Sequence, residues 1–158
     1  MSTQDIKNLV IVSEQLATAG QPTEDQLRTL VDEGYEVVIN LGLMDPRYCL
    51  ADEAGLVQAN GMEYHHIPVE FAAPGRAELM AFFDVMDNCS GRKVMVHCAA
   101  NYRVTCFVAL YAQARWGWTS QRCDAYIGRI WKPDATWRAF IDSVSAPAEA
   151  FTAVGESI

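Results

Sequence analysis

With 158 residues, about half of them apolar, the chain has the length of one domain and can form a real hydrophobic core without disulfides or a structural metal. Its 20 acidic and 12 basic residues give a formal net charge of −8. This charge argues against a nucleic-acid partner, because binding phosphate backbones needs a basic face. It also offers no long-range attraction for polyanionic substrates, so any phosphate site must be a local positive feature.

The cysteine content and the hydropathy pattern indicate where the protein works. The five cysteines are odd in number and form no Cys-x-x-Cys pair, which is typical of reduced thiols in a cytoplasm. The polar N-terminus does not resemble a signal peptide, no apolar run reaches the ~18 residues of a membrane span, and no Cys/His cluster has zinc-ligand spacing. We therefore expect a cytoplasmic protein without a metal or membrane association. We expect one domain over residues 1–158, with flexible ends at 1–9 and 147–158.

In chain order, short apolar runs alternate with amphipathic segments. Residues 22–26 match a capping box at the start of a helix, and Gly34 follows its last turn as a C-cap. Runs of β-branched and apolar residues predict buried strands, whereas apolar residues three and four apart predict helices. The predicted strands are 36–41, 63–69 and 93–97; the further predicted helices are 51–60, 77–88, 103–116, one from Thr119 to about residue 129 and one from Asp134 to about residue 144.

The alternation of helices and strands, with a helical final third, predicts an α/β fold with a small, mostly parallel central sheet flanked by helices. In such sheets ligands bind beyond the carboxyl ends of the strands. Each predicted strand ends in a polar loop, namely residues 42–45, 70–72 and 98–103. If the strands run parallel, these three loops meet at one edge, and we expect the functional site there.

The loop after the third predicted strand carries the clearest chemistry. His97 and Cys98 end this strand, and Arg103 lies in the first turn of the next helix. The unpaired N–H groups at a helix start carry a partial positive charge, so they can stabilise a thiolate and hold a tetrahedral oxyanion. The planar, always charged guanidinium of Arg103 can bind two oxygens of that oxyanion. The pattern therefore predicts a nucleophilic Cys98 facing an anion-binding Arg103.

This arrangement resembles the signature of cysteine-dependent protein tyrosine and dual-specificity phosphatases. It is most similar to that of small bacterial phosphatase-like proteins related to the domain of beta-lactamase-hydrolase-like proteins. Residues 20–23, 37–41 and 64–70 support the resemblance and occur in the expected order, so that it extends over about residues 15–142. The resemblance implies a (phosphotyrosine protein phosphatase)-like fold and a hydrolase of phosphomonoesters, including phosphotyrosine, that needs no cofactor. Its partner would be a phosphorylated small molecule or a phosphoprotein.

The resemblance also implies roles for individual residues. Cys98 would form a thiophosphate intermediate, and His97 would orient the loop. A general acid is expected on the loop after the second predicted strand, where Glu70 is the closest candidate and Asp45, on the neighbouring loop, is the reserve. Thr105 keeps the usual seven-residue offset at which a hydroxyl stabilises the leaving thiolate. The phosphate would bind to the loop residues Ala99, Ala100, Asn101, Tyr102 and Arg103.

The loop departs from the family pattern in length and composition. Four residues instead of the usual five separate Cys98 from Arg103, and the usual glycines are missing. Asn101 is the residue best able to adopt a positive φ in their place. Because a shorter loop offers fewer N–H groups, two alternatives stay open. One is a catalytically weak module that binds phosphate, sulfate or a phosphoprotein; the other is a rhodanese-like sulfurtransferase, which also uses a Cys-x4-Arg loop.

Overall fold

The computed structural model describes residues 3–145. Its centre is a five-stranded sheet in the order β1-β2-β5-β3-β4, in which β1 runs antiparallel to β2 and the other neighbours pair in parallel. The strands are β1 (Val10–Ser13), β2 (Leu16–Ala19), β3 (Val37–Asn40), β4 (Glu63–His66) and β5 (Val94–His97). The helices are α1 (Glu24–Leu30), α2 (Glu53–Ala59), α3 (Arg76–Asn88), α4 (Tyr102–Trp116), α5 (Ser120–Gly128) and α6 (135–145), with 3-10 turns at Thr3–Asp5 and Val31–Glu33.

The predicted α/β fold with a small, mostly parallel sheet is confirmed. Three of the five strands match the predicted ones, whereas the hairpin formed by β1 and β2 was not predicted. β2 has the sequence L-A-T-A, and alanine has little preference for strands, so four such residues give no recognisable pattern. All four residues of β2 are nevertheless buried, because this strand lies in the sheet interior between β1 and β5.

Side chains at the helix ends explain why most helix boundaries were predictable. Thr23 begins α1 in a complete capping box with Gln26, and the left-handed Gly34 (φ 90°) ends the 3-10 turn after α1. Thr119 and Asp134 cap α5 and α6 by accepting hydrogen bonds from backbone N–H groups three residues later. Each cap satisfies a donor that the first turn of a helix leaves unpaired.

The sheet separates two hydrophobic clusters, and this separation positions the site. Successive strand residues point to opposite faces, so Met95 packs towards α1 and α2 while Val96 packs in the larger cluster with α3 and α4. The alternation continues to the end of β5. His97 contacts Glu53 of α2, whereas Cys98 belongs to the larger cluster. The two residues of the motif therefore work on opposite faces of the sheet.

The ends of the chain were predicted to be flexible. Residues 3–9 instead pack on the domain: Thr3 and Ile6 are buried, and the Lys7 carbonyl accepts a 2.7 Å hydrogen bond from Gly20 N. The polar composition of residues 3–9 did not predict this packing, because the contacts are made with residues distant in sequence. The other predicted flexible segment, 147–158, lies outside the described residues. Within residues 3–145, no helix combines the length and the apolar character needed to cross a membrane.

Candidate active site

The predicted convergence of three loops at one sheet edge is confirmed by the strand register. Asn40 of β3 pairs with His66 of β4 on one side and with His97 of β5 on the other, and all three strands are parallel. The loops that follow these residues therefore leave the same edge of the sheet side by side. Apart from His97, the last residue of β5, every candidate residue of the site lies on one of these loops or in the first turns of α4.

The loop between β5 and α4 turns at Asn101, as expected. This residue is left-handed (φ 69°), and only one other non-glycine residue within 3–145, Asn8, has a positive φ. The Asn101 side chain donates hydrogen bonds to the Asn8 carbonyl (2.8 Å) and to Thr18 Oγ1 (3.2 Å). Asn tolerates this conformation better than most residues because its short side chain can bond locally. Asn101 therefore replaces the glycines that the family's loop usually contains.

Two neighbouring segments hold the loop from outside. The carbonyl of Ala99 accepts a hydrogen bond from Gln21 N (3.0 Å), and that of Ala100 accepts one from Asn8 Nδ2 (2.9 Å). Gly20 lies so close to the loop that a Cβ atom there would be 2.7 Å from the Ala99 carbonyl oxygen. The backbone of Gly20 and Gln21 thus supports the loop directly.

Cys98 is the first residue of this loop and directly follows β5. Its residue exposure is 1%, and its backbone N–H donates to the Ala19 carbonyl at 3.3 Å. The loop that begins at Cys98 leads directly into α4, whose first-turn N–H groups have no partners within the helix.

Arg103 is buried beside Cys98's loop, with 5% exposure. Its Nη1 donates to the Val69 carbonyl (2.8 Å), and its Nη2 contacts the Tyr48 hydroxyl (3.4 Å). The guanidinium thus connects α4 to the loops that follow β3 and β4. These contacts use two of its five N–H groups. Tyr48 was not found in the sequence analysis, since an isolated tyrosine in a loop gives no signal.

The two candidate acids differ in environment. Glu70 is exposed and directly follows Val69, the residue whose carbonyl holds Arg103. Asp45 is paired with Arg47 at 2.5 Å. Hydrogen bonds from Arg47, together with the charges of Arg47 and Arg103, lower the pKa of Asp45 to about 2. A carboxyl group with that pKa carries no proton near neutral pH, which argues against Asp45 as a proton donor.

The predicted role of Thr105 stays a prediction, and its contacts weigh against it. The Thr105 side chain is buried. Its hydroxyl donates to the Tyr102 carbonyl (2.9 Å) and accepts a hydrogen bond from Trp131 Nε1 (3.1 Å). A hydroxyl has a single proton, so in this arrangement that proton is not offered to the Cys98 sulfur.

A buried polar network lies on the opposite side of β5 from Cys98. His97 is fully buried; its Nδ1 lies 3.3 Å from the Cys98 carbonyl oxygen and its Nε2 lies 2.5 Å from Glu53 Oε2. Gln21 Nε2 donates to the other carboxylate oxygen at 2.7 Å. Burial alone would raise the pKa of Glu53, but the charge of His97 and the hydrogen bonds from His97, Gln21 and Tyr64 lower it overall. Glu53 was missed because an acid in a helix's first turn is ordinary.

Aromatic rings form one wall next to the loop. The half-exposed ring of Tyr102 stacks on Trp131, with centroids 4.6 Å apart and an interplanar angle of 4°. Phe71 contacts both rings, and its carbonyl accepts a hydrogen bond from Trp137 Nε1 at 2.7 Å. Because Phe71 follows Glu70 in the chain, these aromatic contacts also support the loop that carries Glu70. No group of three or more potential metal ligands occurs within the described part of the chain.

Comparison with known proteins identifies the family of this chain. A model of the family described as "DSP-PTPase phosphatase fused to NAD+ Kinase" matches residues 3–151. A beta-lactamase hydrolase-like protein of Xylella fastidiosa is 30% identical over 105 residues, which is 65% of this chain and 24% of that protein. The chain thus spans about a quarter of the length of the curated relatives that it matches.

Solved structures give the same result. A DUF442 protein of Shewanella putrefaciens CN-32 that was assigned as a phosphatase is 34% identical, with a TM-score of 0.83 over 91% of this chain and 92% of its own. Pseudomonas aeruginosa TpbA in complex with pTyr is 17% identical and shares the fold, with a TM-score of 0.69 over 85% of this chain and 82% of its own. The chain therefore belongs to the family of tyrosine and dual-specificity (DSP-PTPase) phosphatases that is described as fused to NAD+ kinase.

Proposed function

We propose that this protein hydrolyses phosphomonoesters, with Cys98 as the nucleophile and Arg103 as the residue that binds the phosphoryl oxygens. The observation that carries the proposal is the loop itself. A cysteine at the end of a buried strand is followed by a left-handed Asn101 and by a buried Arg103 in the first turn of α4. Helix N–H groups and a guanidinium together stabilise the charge on a phosphoryl group during transfer.

The reaction has two steps in this proposal. The Cys98 thiolate attacks phosphorus in line, and an S–P bond forms while the P–O bond to the leaving group breaks. The leaving oxygen takes a proton from Glu70. Glu70, now a carboxylate, then removes a proton from a water molecule whose oxygen attacks phosphorus. The S–P bond breaks, inorganic phosphate leaves, and the Cys98 thiolate is regenerated.

The substrate class follows from the wall of the site. The ring of Tyr102, an exposed residue, is stacked on Trp131 and offers an aromatic surface at the start of α4, one residue before Arg103. Such a surface favours a phosphate carried on a planar ring, because aromatic rings stack at centroid distances like the one observed here. We therefore propose aryl phosphates as substrates, with a phosphorylated small molecule or a phosphotyrosine protein as the natural source. The pTyr bound to P. aeruginosa TpbA is consistent with this choice.

The direct test is hydrolysis of para-nitrophenyl phosphate by the full chain. We expect turnover in the wild type and none in Cys98→Ser, because serine cannot supply a thiolate. Cys123→Ser is the matched control, since Cys123 is also buried but lies in α5, where it donates to the Ala109 carbonyl. Full turnover in Cys98→Ser, or equal losses in both variants, would contradict the proposal.

A second candidate is a binding module that holds phosphate without turning it over. Two observations favour it: Cys98 is 1% exposed, and the Thr105 hydroxyl is occupied by other partners. Phosphate binding by calorimetry, together with no turnover on a panel of aryl and alkyl phosphates, would select this function. The family match weighs against the sulfurtransferase alternative, which thiosulfate-to-cyanide transfer would detect.

A further inference from the structure

The hydroxyl of Tyr48 lies beside the Arg103 guanidinium and has no role in the mechanism above. Its oxygen accepts a hydrogen bond from Leu43 N (2.8 Å) and a longer one from Arg103 Nη2 (3.4 Å). The guanidinium carbon of Arg103 also lies 6.0 Å from the centre of the Tyr48 ring. From the loop after β3, Tyr48 therefore reaches the cation that binds the phosphoryl oxygens in the proposed mechanism.

These two contacts determine where the hydroxyl proton of Tyr48 can go. A tyrosine hydroxyl has one proton to donate and an oxygen that accepts hydrogen bonds. Both neighbours of this oxygen, the Leu43 amide and the Arg103 guanidinium, are donors, so neither can receive the proton. Within residues 3–145, the Tyr48 hydroxyl donates to no acceptor. Because the residue is half-buried, its proton is available to an acceptor that enters the site from solvent.

The backbone at Gly42 holds the Tyr48 ring in place. Gly42 N donates to Asn40 Oδ1 (2.7 Å), and the Gly42 carbonyl oxygen lies 2.6 Å from His66 Nε2. A Cβ atom at Gly42 would lie 3.2 Å from Cε1 and 3.5 Å from the hydroxyl oxygen of Tyr48, so the ring packs directly on this backbone. A donor that is fixed in this way needs no rearrangement when negative charge develops on a phosphoryl oxygen.

The short loop between Cys98 and Arg103 makes an additional donor useful. Four residues separate the two, one fewer than in the usual loop of the family, so the loop has one backbone N–H fewer to offer to a phosphoryl group. Hydrogen bonds to a charged acceptor are stronger than those between neutral groups. A single hydroxyl beside Arg103 therefore compensates for the N–H that the shorter loop lacks.

We propose that Tyr48 is a further phosphate-binding residue, whose hydroxyl donates a hydrogen bond to the phosphoryl oxygen that Arg103 binds. This inference rests on the proposed function, which assigns that oxygen to Arg103. The contact is made to a non-bridging oxygen, because Tyr48 lies beside the guanidinium that binds those oxygens. The Tyr48 proton stays on its own oxygen throughout, so the proton transfers through Glu70 are unchanged.

A crystal structure of the full chain with orthovanadate tests the contact without any need for turnover. We expect one vanadate oxygen to lie within hydrogen-bond distance of both Tyr48 Oη and the Arg103 guanidinium. A loop without vanadate, or vanadate over Cys98 with no oxygen near Tyr48 Oη, would overturn the inference.

Calorimetry with inorganic phosphate measures the strength of the contact. Tyr48→Phe removes only the hydroxyl and should bind phosphate about tenfold more weakly, as expected for the loss of one hydrogen bond to a charged group. Tyr111→Phe is the matched control, because it removes a tyrosine hydroxyl of α4 that donates to Asp87 at 2.7 Å. Its phosphate affinity should equal that of the wild type, and equal losses in both variants would contradict the inference.

A double-mutant comparison separates a direct contact from a role in which Tyr48 only holds Arg103. We would measure kcat/KM for para-nitrophenyl phosphate in the wild type, Tyr48→Phe, Arg103→Ala and the double variant. A direct contact predicts that Tyr48→Phe lowers kcat/KM about tenfold in both backgrounds, since its partner is the substrate. Loss in the wild-type background with none in Arg103→Ala would show that Tyr48 acts only through the arginine, and would overturn the inference.

The inference and the proposed function fail in different measurements. Failure of the proposed function would appear as para-nitrophenyl phosphate turnover that survives Cys98→Ser. The contact of Tyr48 with vanadate, and the loss of phosphate affinity in Tyr48→Phe, are read without turnover.

Discussion

An arginine, a histidine and a glutamate occur at two places on the sheet, near the carboxyl ends and near the amino ends of the parallel strands, in different surroundings. At the carboxyl edge, Arg103, His97 and Glu53 are at most 5% exposed. At the amino edge, the side chains of Arg92, His65 and Glu63 are 35%, 32% and 44% exposed. The His–Glu distance is 2.5 Å in both sets. We call them the buried set (Arg103, His97 and Glu53) and the exposed set (Arg92, His65 and Glu63).

The comparison shows that a short contact does not by itself make a functional site. In the exposed set, water screens the charges and both partners can rearrange, so the contact contributes little. In the buried set, the Arg103 guanidinium is held by the Val69 carbonyl and the Tyr48 hydroxyl, and the Glu53 carboxylate by Gln21 and His97. Preorganised charges of this kind need no rearrangement when a charged transition state forms.

Removing one arginine from each set is the most direct test of the difference between the buried set and the exposed set. Arg103→Ala should lower kcat/KM for para-nitrophenyl phosphate by about 1,000-fold, because the transferring phosphoryl group loses its main cationic partner. The kcat/KM of Arg103→Lys should lie between those of the wild type and Arg103→Ala, since a point charge cannot bind two oxygens in a planar fork. Arg92→Ala should change kcat/KM by less than about twofold, as expected for an exposed ion pair.

Steady-state kinetics measure these effects, and a thermal melt of each variant checks that it is folded. If Arg92→Ala lowered the rate as much as Arg103→Ala did, burial would not be what separates the two sets.

The next largest effect concerns the support that Gly20 gives to the loop. In Gly20→Ala, the new Cβ would lie 2.7 Å from the Ala99 oxygen and 3.1 Å from the Ala100 Cα. Both are backbone atoms, so relief requires movement of the loop, and the free energy of unfolding should fall by about 2 kcal/mol. A Cβ atom added to Gly128, at the end of α5, would meet open space out to 4 Å, and Gly128→Ala should gain about 0.5 kcal/mol.

Urea unfolding of both variants gives the two free energies. Unchanged stability in Gly20→Ala, with unchanged kcat/KM, would show that the loop does not depend on this close approach.

The buried set was only partly predictable from the sequence, and distance along the chain is the reason. His97, Cys98, Asn101 and Arg103 fall within seven residues, so a single strand–loop–helix pattern predicted the loop and its left-handed turn. Glu53 lies 44 residues from His97. Its contact with His97 depends on how α2 packs on the sheet, and no local pattern contains that information.

The same limit applies to the fold. The strands β3, β4 and β5 have apolar patterns that local preference and periodicity detect. β1 and β2 become strands because β2 can pair with β5 on its other edge, as in the register of Ala19 with His97. Likewise Asn8 gives no local signal, yet it holds Asn101 across a separation of 93 residues. Local sequence patterns do not predict pairing and packing across such separations.

A smaller effect is expected from the turn of the loop. Asn101→Gly keeps access to the left-handed conformation, whereas Asn101→Ala must adopt φ 69° with a Cβ. Both variants lose the same side-chain hydrogen bonds, so Ala should be less stable than Gly by about 1 kcal/mol. The order should reverse at the exposed Ala114 in α4, where Ala114→Gly should cost about 1 kcal/mol. Urea unfolding compares the four proteins, and an Asn101→Ala variant as stable as Asn101→Gly would exclude backbone strain as the reason for asparagine.

The smallest expected effect is that of the exposed carboxylate. Hydrogen bonds from His65 and Arg92 lower the pKa of Glu63 below its usual 4.5, so its contribution to stability is present above pH 4.5 and is lost as the pH falls below that value. Because the group is exposed, Glu63→Gln should cost only about 0.3 kcal/mol at pH 7. The pKa of Glu53 is lowered as well, so the contribution of this buried carboxylate to stability is also lost as the pH falls. The loss of stability in acid should be steeper for Glu53, because a protonated Glu53 leaves His97 without its buried partner. Urea unfolding of the wild type, Glu63→Gln and Glu53→Gln between pH 3 and pH 7 measures both slopes. Acid sensitivity that disappears in Glu63→Gln and persists in Glu53→Gln would reverse the roles of the two edges of the sheet.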